Sequence, residues 1–432
     1  MDIDFPTAKV EEISAPGDDA IAIGPFGSDM KSDCYVDEGV PVIRGSNINS
    51  GRSFDGEFVF ITEEKADELS SSNVFPGNLV FPHRGAIGEV GLIPENGSRD
   101  RWMLSSSLMK LTPNEEKTLP EFLYYYFCSE VGKHELLKKA STVGTPGIGS
   151  PLSSLRDAEV PCPPLPVQRR IAGILGAYDD LIANNRRRIE LLEEMATAIF
   201  REWFVHYRFP GHAVVEMRET EMGAVPKHWE VVTVPEAIKV NPRIPIPDGE
   251  KHYVPMSNVN EDSMVVTHAE MRDQRRGRKF QNGDTLFARI TPSLENGKTG
   301  FVQFLPSDDA VGVGSGELIG LRSKTLCPEY VYLLARTERF RQNAIKSMTG
   351  SAGRQRVKLD CFDNFPIFQP DQDTLDRFED TVRPMFESVQ NLVERNQVLR
   401  ETRDLLLPRL VAGEIAIDRV SKPGDQKERI AD

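Results

Sequence analysis

The chain has 432 residues, 39% of them hydrophobic and 27% charged, with a net charge of −14. That length accommodates two or three domains of an ordinary soluble protein, and no apolar run approaches the ~20 residues that a bilayer span needs. Five scattered cysteines (Cys34, Cys128, Cys162, Cys327 and Cys361) form no CxxC pair, which predicts reduced, mostly buried thiols in a cytoplasmic protein without a disulfide frame or a zinc site.

In chain order, "MDIDFPTAKVEE" is acidic and lacks a signal-peptide pattern. Residues 1–160 mix short β-branched runs with Gly, Pro and Asn turns. A helix is expected within 120–140, opened by Pro120 and Glu121. Over 166–207 the apolar residues Ile171, Ile174, Tyr178, Ile182, Ile189, Leu192, Ile199 and Trp203 fall at 3.5-type spacing. This predicts a long coiled-coil helix, with Asn185 where an apolar residue is due. Residues 208–228 read as a linker rich in turn residues. A second mixed block covers 229–366, with a helix expected at 328–345. A second long helix follows over 371–412, carrying Leu375, Phe378, Val382, Met385, Val389, Leu392, Leu399, Leu406 and Leu410, and Asn396 in its seam. Pro384 predicts a kink or restart in that helix, and 413–432 reads as a flexible tail.

The second half repeats the first. "VIRGSNIN" (42–49) returns as "YVPMSNVN" (253–260), "STVGTPG" (141–147) as "SMTGSAG" (347–353), and "EVPCPPLP" (159–166) as "NFPIFQP" (364–370), each pair in the same order along the chain. Chance matches would not preserve that order. A buried Asn fixes register and partner, so Asn185 and Asn396 predict that the long helices pair with each other.

Charge is unevenly spread. Residues 1–160 hold 14 Lys and Arg against 26 Asp and Glu, while residues 229–365 hold 19 against 17. "RDQRRGRKF" (272–280) and the segment 339–358 are basic, and such loops neutralise phosphates on one face of an otherwise acidic protein. Catalytic constellations are missing. "NGKTG" (296–300) has Pro292 where a P-loop needs glycine, "PDGEK" (247–251) lacks the nuclease spacing, and the seven histidines are dispersed.

"AIGPFGSDMKSDCYVDEGVPVIRGSNINSG" (22–51), "MGAVPKHWEVVTVPEAI" (222–238) and "GTPGIGSPLSSLRDAEVPCPPLPVQRRIAGIL" (144–175) resemble the target recognition domains and helix entry of Type I restriction–modification specificity subunits. The resemblance implies a mixed α/β (α+β) fold. Two duplicated target recognition domains would be separated by two long antiparallel coiled-coil helices in a pseudo-two-fold arrangement. It further implies a non-catalytic subunit that reads a bipartite target in double-stranded DNA. The helices would set the half-site gap and dock two methyltransferase subunits, and restriction/translocase subunits would join them. The chain itself would need no cofactor, with SAM, ATP and Mg belonging to partner subunits, and no membrane.

Arg reads guanine and Asn adenine through paired hydrogen bonds. The base-reading or phosphate-binding candidates are therefore the polar residues of glycine-rich loops: Ser28, Arg44, Asn47, Arg84 and Thr145 in the first block. In the second they are Asn258, Arg275, Arg276, Arg278, Lys279, Arg289, Arg354 and Arg356. Asn47 and Asn258 also suit the closing of their own turns, and the run 275–279 suits phosphate contact. Two rival readings are a coiled-coil scaffold with two adaptor domains that bind no DNA, and an enzyme of unknown type.

Overall fold

In the computed structural model, residues 5–48, 52, 54, 56–95, 97, 99–141, 144–220, 223–267, 270–351, 353–415, 420, 422 and 423 are described. Two units divide the chain, Met1–Ala183 with Val398–Asp432, and Asn184–Gln397. Each is built on an antiparallel four-stranded sheet with the same connectivity. In unit 1 its order is Ile21–Ile23, Leu108–Leu111, Leu79–Pro82, Gly91–Leu92. In unit 2 it is Ile238–Val240, Leu318–Ser323, Thr285–Ala288, Thr299–Phe301.

A second sheet in each unit contains one parallel pair, Val40–Ile43 with Trp102–Leu104 and Lys251–Val254 with Gly312–Gly314. A ribbon brings together the ends of each mixed block: Thr7–Lys9 with Glu159–Pro161, and Glu230–Thr233 with Pro366–Gln369. These matching registers extend the sequence repeat to backbone topology.

The two expected helices at 120–140 and 328–345 are each a pair of helices. Pro120–Cys128 stops at Ser129, whose hydroxyl accepts from the Gly132 amide and starts Glu130–Leu137. Pro328–Arg336 stops at Thr337, which caps Glu338–Lys346 in the same way. Ser and Thr favour this position because their oxygen satisfies a first-turn amide that has no partner within the helix.

The long helices are Leu165–Phe204 and Gln372–Val411. In unit 1, Ile171, Ile174, Leu175, Tyr178 and Ile182 share a core with Leu399, Leu407 and Leu410. In unit 2, Ala196, Phe200 and Phe204 share one with Leu375, Phe378, Val382 and Phe386. Early residues of one helix meet late residues of the other, so they pack antiparallel. Phe204 meets Phe378 edge-on at 4.8 Å between ring centroids. Burying each such side chain contributes about 1.5–3 kcal/mol.

Asn185 and Asn396 are both buried, and the Asn185 amide nitrogen donates to Asn396 Oδ1 at 2.9 Å across 211 residues of sequence. The inference that the helices pair is thereby confirmed.

Four expectations change. The second helix runs unbroken through Pro384; proline removes one amide donor there without breaking the helix. Phe386 and Leu407 are buried in the seam, while Met385 and Leu406 are only partly so. The linker contains a hairpin, Met217–Thr220 with Gly223–Pro226. Cys327 alone among the cysteines is fully buried, and its burial pushes the thiol up to about 12. Most of the tail (416–419, 421 and 424–432) lies outside the described residues. Among those described, no helix is long and apolar enough to cross a membrane.

Candidate nucleic-acid interface

In unit 1 the loops singled out above converge on one turn, Ser105–Ser107, between Trp102–Leu104 and Leu108–Leu111. The Ser105 amide donates to Ile43 O at 2.9 Å, fixing the segment that leads into Arg44. The His83 amide donates to Ser107 O at 2.9 Å, fixing the segment before Arg84. The Ile148 amide donates to His83 O at 2.9 Å, which lays the Thr145 loop beside Arg84. Gly24 packs so tightly here that a Cβ would sit 1.9 Å from Ser105 O, and glycine is required for the approach. The next turn closes from the Asp29 amide to Phe26 O and leaves Phe26 76% exposed.

Unit 2 repeats this construction around Ser315–Glu317. The Ser315 amide donates to Val254 O, the Arg289 amide to Glu317 O and the Val357 amide to Arg289 O, each at 2.9 Å. By these backbone bonds Ser107 becomes Glu317, His83 becomes Arg289, Thr145 becomes Arg354 and Gly147 becomes Arg356, the last two lying three residues beyond the pairing of 141–147 with 347–353 that the sequence repeat suggests. The Glu317 carboxylate accepts from Arg356 Nε at 3.0 and 2.9 Å and from Nη2 at 2.6 Å. The bonds from Arg356 hold the Glu317 carboxyl below the usual range. Arg278 donates to Leu318 O at 3.0 Å beside the same turn. Burial and the charge of Arg289 lower the Arg278 guanidinium from its ordinary value.

The predicted residues therefore separate into two groups. Ser28, Arg84 and Thr145 are exposed around the unit 1 turn; Arg354 and Arg356 are exposed, and Arg278 and Arg289 half-buried, around the unit 2 turn. The others are placed differently. Asn47 is buried; its Oδ1 accepts from the Arg44 amide at 3.0 Å, and its Nδ2 donates to Glu57 O at 3.2 Å. Arg44 Nη2 donates to the same carbonyl at 2.8 Å, so both residues hold a loop in place.

Asn258 donates to Thr267 O at 2.8 Å and accepts from Ser257 Oγ at 2.9 Å. Pro255, at the position of Arg44, has no amide to donate to it. The run 275–279 is split. Arg275 pairs with Asp248, ahead of the start of Lys251–Val254, whereas Val254 at the other end of that strand meets Ser315. Arg276 is exposed and Lys279 half-buried, and strand alternation turns Lys279 away from the face of Arg278 and Phe280.

Sequence reasoning missed the Ser105–Ser107 and Ser315–Glu317 turns and Glu317 itself. It left His83 as a packing or surface residue, and the buried ring donates through Nε2 to Ser106 O at 3.0 Å. Burial keeps His83 below its ordinary pKa. Gln168, noted at the helix entry, is fully buried. Its Oε1 accepts from the Leu119 amide at 2.8 Å, and its Nε2 donates to Pro163 O at 2.8 Å.

A family described as Type I restriction modification DNA specificity domain matches residues 27–194. The MjaIX specificity subunit of Methanocaldococcus jannaschii is 26% identical over 385 residues, covering 84% of this chain and 85% of that protein. The HindI specificity subunit of Haemophilus influenzae is 23% identical over 440 residues, covering 85% and 94%. A crystal structure of a Type I restriction–modification S subunit from M. genitalium superposes with a TM-score of 0.57 at 13% identity, covering 95% of this chain and 96% of that one. That likeness concerns the fold.

Proposed function

We propose that the chain is a Type I restriction enzyme specificity subunit whose two units each read one half of a bipartite DNA target. The observation carrying this reading is the turn built twice, with identical backbone bonds and different side chains. A protein that recognises one sequence has no use for two divergent copies of such an edge; one that recognises two half-sites does. Ser28, Arg84 and Thr145 serve the first half-site, and Arg278, Arg289, Arg354 and Arg356 the second.

The paired helices, each 40 residues and so ~60 Å long, set the gap between half-sites and carry two methyltransferase subunits. Those partners bring SAM, and restriction/translocase subunits bring ATP and Mg. The acidic first block, with 14 basic residues against 26 acidic, favours the rival scaffold that binds no DNA.

Sequencing modified bases in the source genome with and without this gene separates the two. Loss of one bipartite methylated motif supports the reading, and an unchanged pattern sinks it. The assembled complex should also bind its site with a steep salt dependence, because each phosphate contact contributes about −0.9 to the slope of log K against log salt.

A further inference from the structure

The pair formed by Glu317 and Arg356 has no counterpart in unit 1, where Ser107 and Gly147 stand. Both members are fixed by backbone. Glu317 O accepts from the Arg289 amide at 2.9 Å, and Arg356 exchanges amide bonds of 2.9 and 3.0 Å with Thr349. The carboxylate engages Nε and Nη2, the lateral edge of the guanidinium. That leaves Nη1 and the second Nη2 proton, two parallel donors on the terminal edge, with a fixed direction. The Arg356 side chain is 46% exposed and that of Glu317 31%, so the pair lies at the surface, within reach of an incoming ligand.

Parallel donors at that spacing match the O6 and N7 acceptors of guanine in the major groove. They would also suit a phosphate, but the adjacent carboxylate repels one and neutralises the charge that a phosphate contact uses. A neutral base edge carries no such penalty.

We propose that Arg356 reads a guanine in the second half-site and that Glu317 is a positioning residue, which orients the guanidinium and turns it from phosphates toward bases. This rests on the reading of the chain as a bipartite DNA-recognition subunit and adds which residue sets the sequence of one half.

The test uses the assembled complex and duplexes carrying the wild-type methylated motif, with each base pair permuted in turn, over a range of salt concentrations. In Arg356→Ala, discrimination at one G·C pair of the second half-site should fall about 10–100-fold, the value of one paired contact, with the salt slope unchanged. Glu317→Ala should lose discrimination at that same pair and steepen the slope by about one as the released arginine finds a phosphate. Glu317→Gln, which keeps the size and a neutral acceptor, should fall between.

Discrimination at the other base pairs of the second half-site reports that unit 2 is folded in each variant, discrimination at the first half-site reports assembly, and both should stay at the wild-type value. A flatter slope with discrimination intact in Arg356→Ala would make Arg356 a phosphate contact and overturn the proposal. Loss of discrimination at every base pair of the second half-site in all three variants would make the pair a fold element and overturn it too. If the wild-type complex shows no bipartite preference, the functional reading itself fails; if it does and the variants match it, only this inference fails.

Discussion

The edges of the two units share their backbone bonds and differ in nearly every side chain that faces outward. Ile43, His83, Ser105, Ser107 and Ile148 in unit 1 make through their main chains the contacts that Val254, Arg289, Ser315, Glu317 and Val357 make in unit 2. Because main-chain amides and carbonyls make these shared contacts, the contacts themselves do not dictate the side chain at each position. Unit 1 places Ser107 and Gly147 where unit 2 places an ion pair. The difference teaches that recognition here is written onto a scaffold that does not depend on it.

If the turns are that scaffold, crowding one should damage its own unit alone. Gly24→Ala would drive a Cβ to 1.9 Å from Ser105 O, a backbone atom that cannot yield without moving the turn. Overpacking of this kind costs about 3 kcal/mol. Gly312→Ala in unit 2 meets the Phe280 ring at 2.1 Å, and a ring can tilt, so its cost should be nearer 1–2 kcal/mol. Hydrogen exchange resolved by peptide should show lost protection in unit 1 for the first variant and in unit 2 for the second. Equal loss in both units for either one would mean that they are not independent.

The helix seam offers a cut of intermediate size. Asn185 and Asn396 come one from each repeat and bond to each other. Asn185→Leu leaves a buried amide without that partner, which costs about 1–3 kcal/mol, while replacing both asparagines by leucine should restore most of it. Denaturant titration of the single and double variants measures the coupling, and additive losses would show that the bond contributes nothing.

How far the sequence reveals this molecule depends on the range of the interactions. The helix seam was legible because its pattern is local, and Asn185 and Asn396 stood out as polar residues in an apolar stripe. Even so, the seam moves from Met385 to Phe386 next to Pro384, a shift of one residue that only packing decides. The turns at 105–107 and 315–317 were illegible, since Ser-Ser-Ser and Ser-Gly-Glu look like any loop. Their importance arises from strands distant in sequence. The run 275–279 looked like one basic patch, but strand register carries Arg275 to Asp248 and Arg278 to Leu318. Asn47 and Asn258 shared a word of sequence and differ because proline at 255 withholds the amide that Arg44 supplies.

A smaller effect contrasts Arg84 with Arg356. Among the described residues no carboxylate pairs with Arg84, so its charge is fully available to a phosphate. Arg84→Ala should therefore weaken binding to all sequences alike and flatten the salt slope by about one. Discrimination should stay as it was. A change in base preference at the first half-site would instead assign Arg84 to a base.

The smallest expected effect concerns acid. Glu317 in the fold has a carboxyl pKa below its ordinary value because of the bonds from Arg356. The stability it contributes is then complete above the ordinary glutamate value of ~4.3 and is lost as pH falls through the lowered one. Ser107 has no proton to gain, so this contribution belongs to unit 2 alone. Since the pair is partly solvated its contribution is small, and a carboxyl titration followed by NMR is a better readout than a melting curve. The Glu317 midpoint should lie below that of an unpaired glutamate and return to the ordinary range in Arg356→Ala. A midpoint that ignores the loss of Arg356 would mean that the pair does not form in solution, and the contrast between the two edges would then reduce to shape.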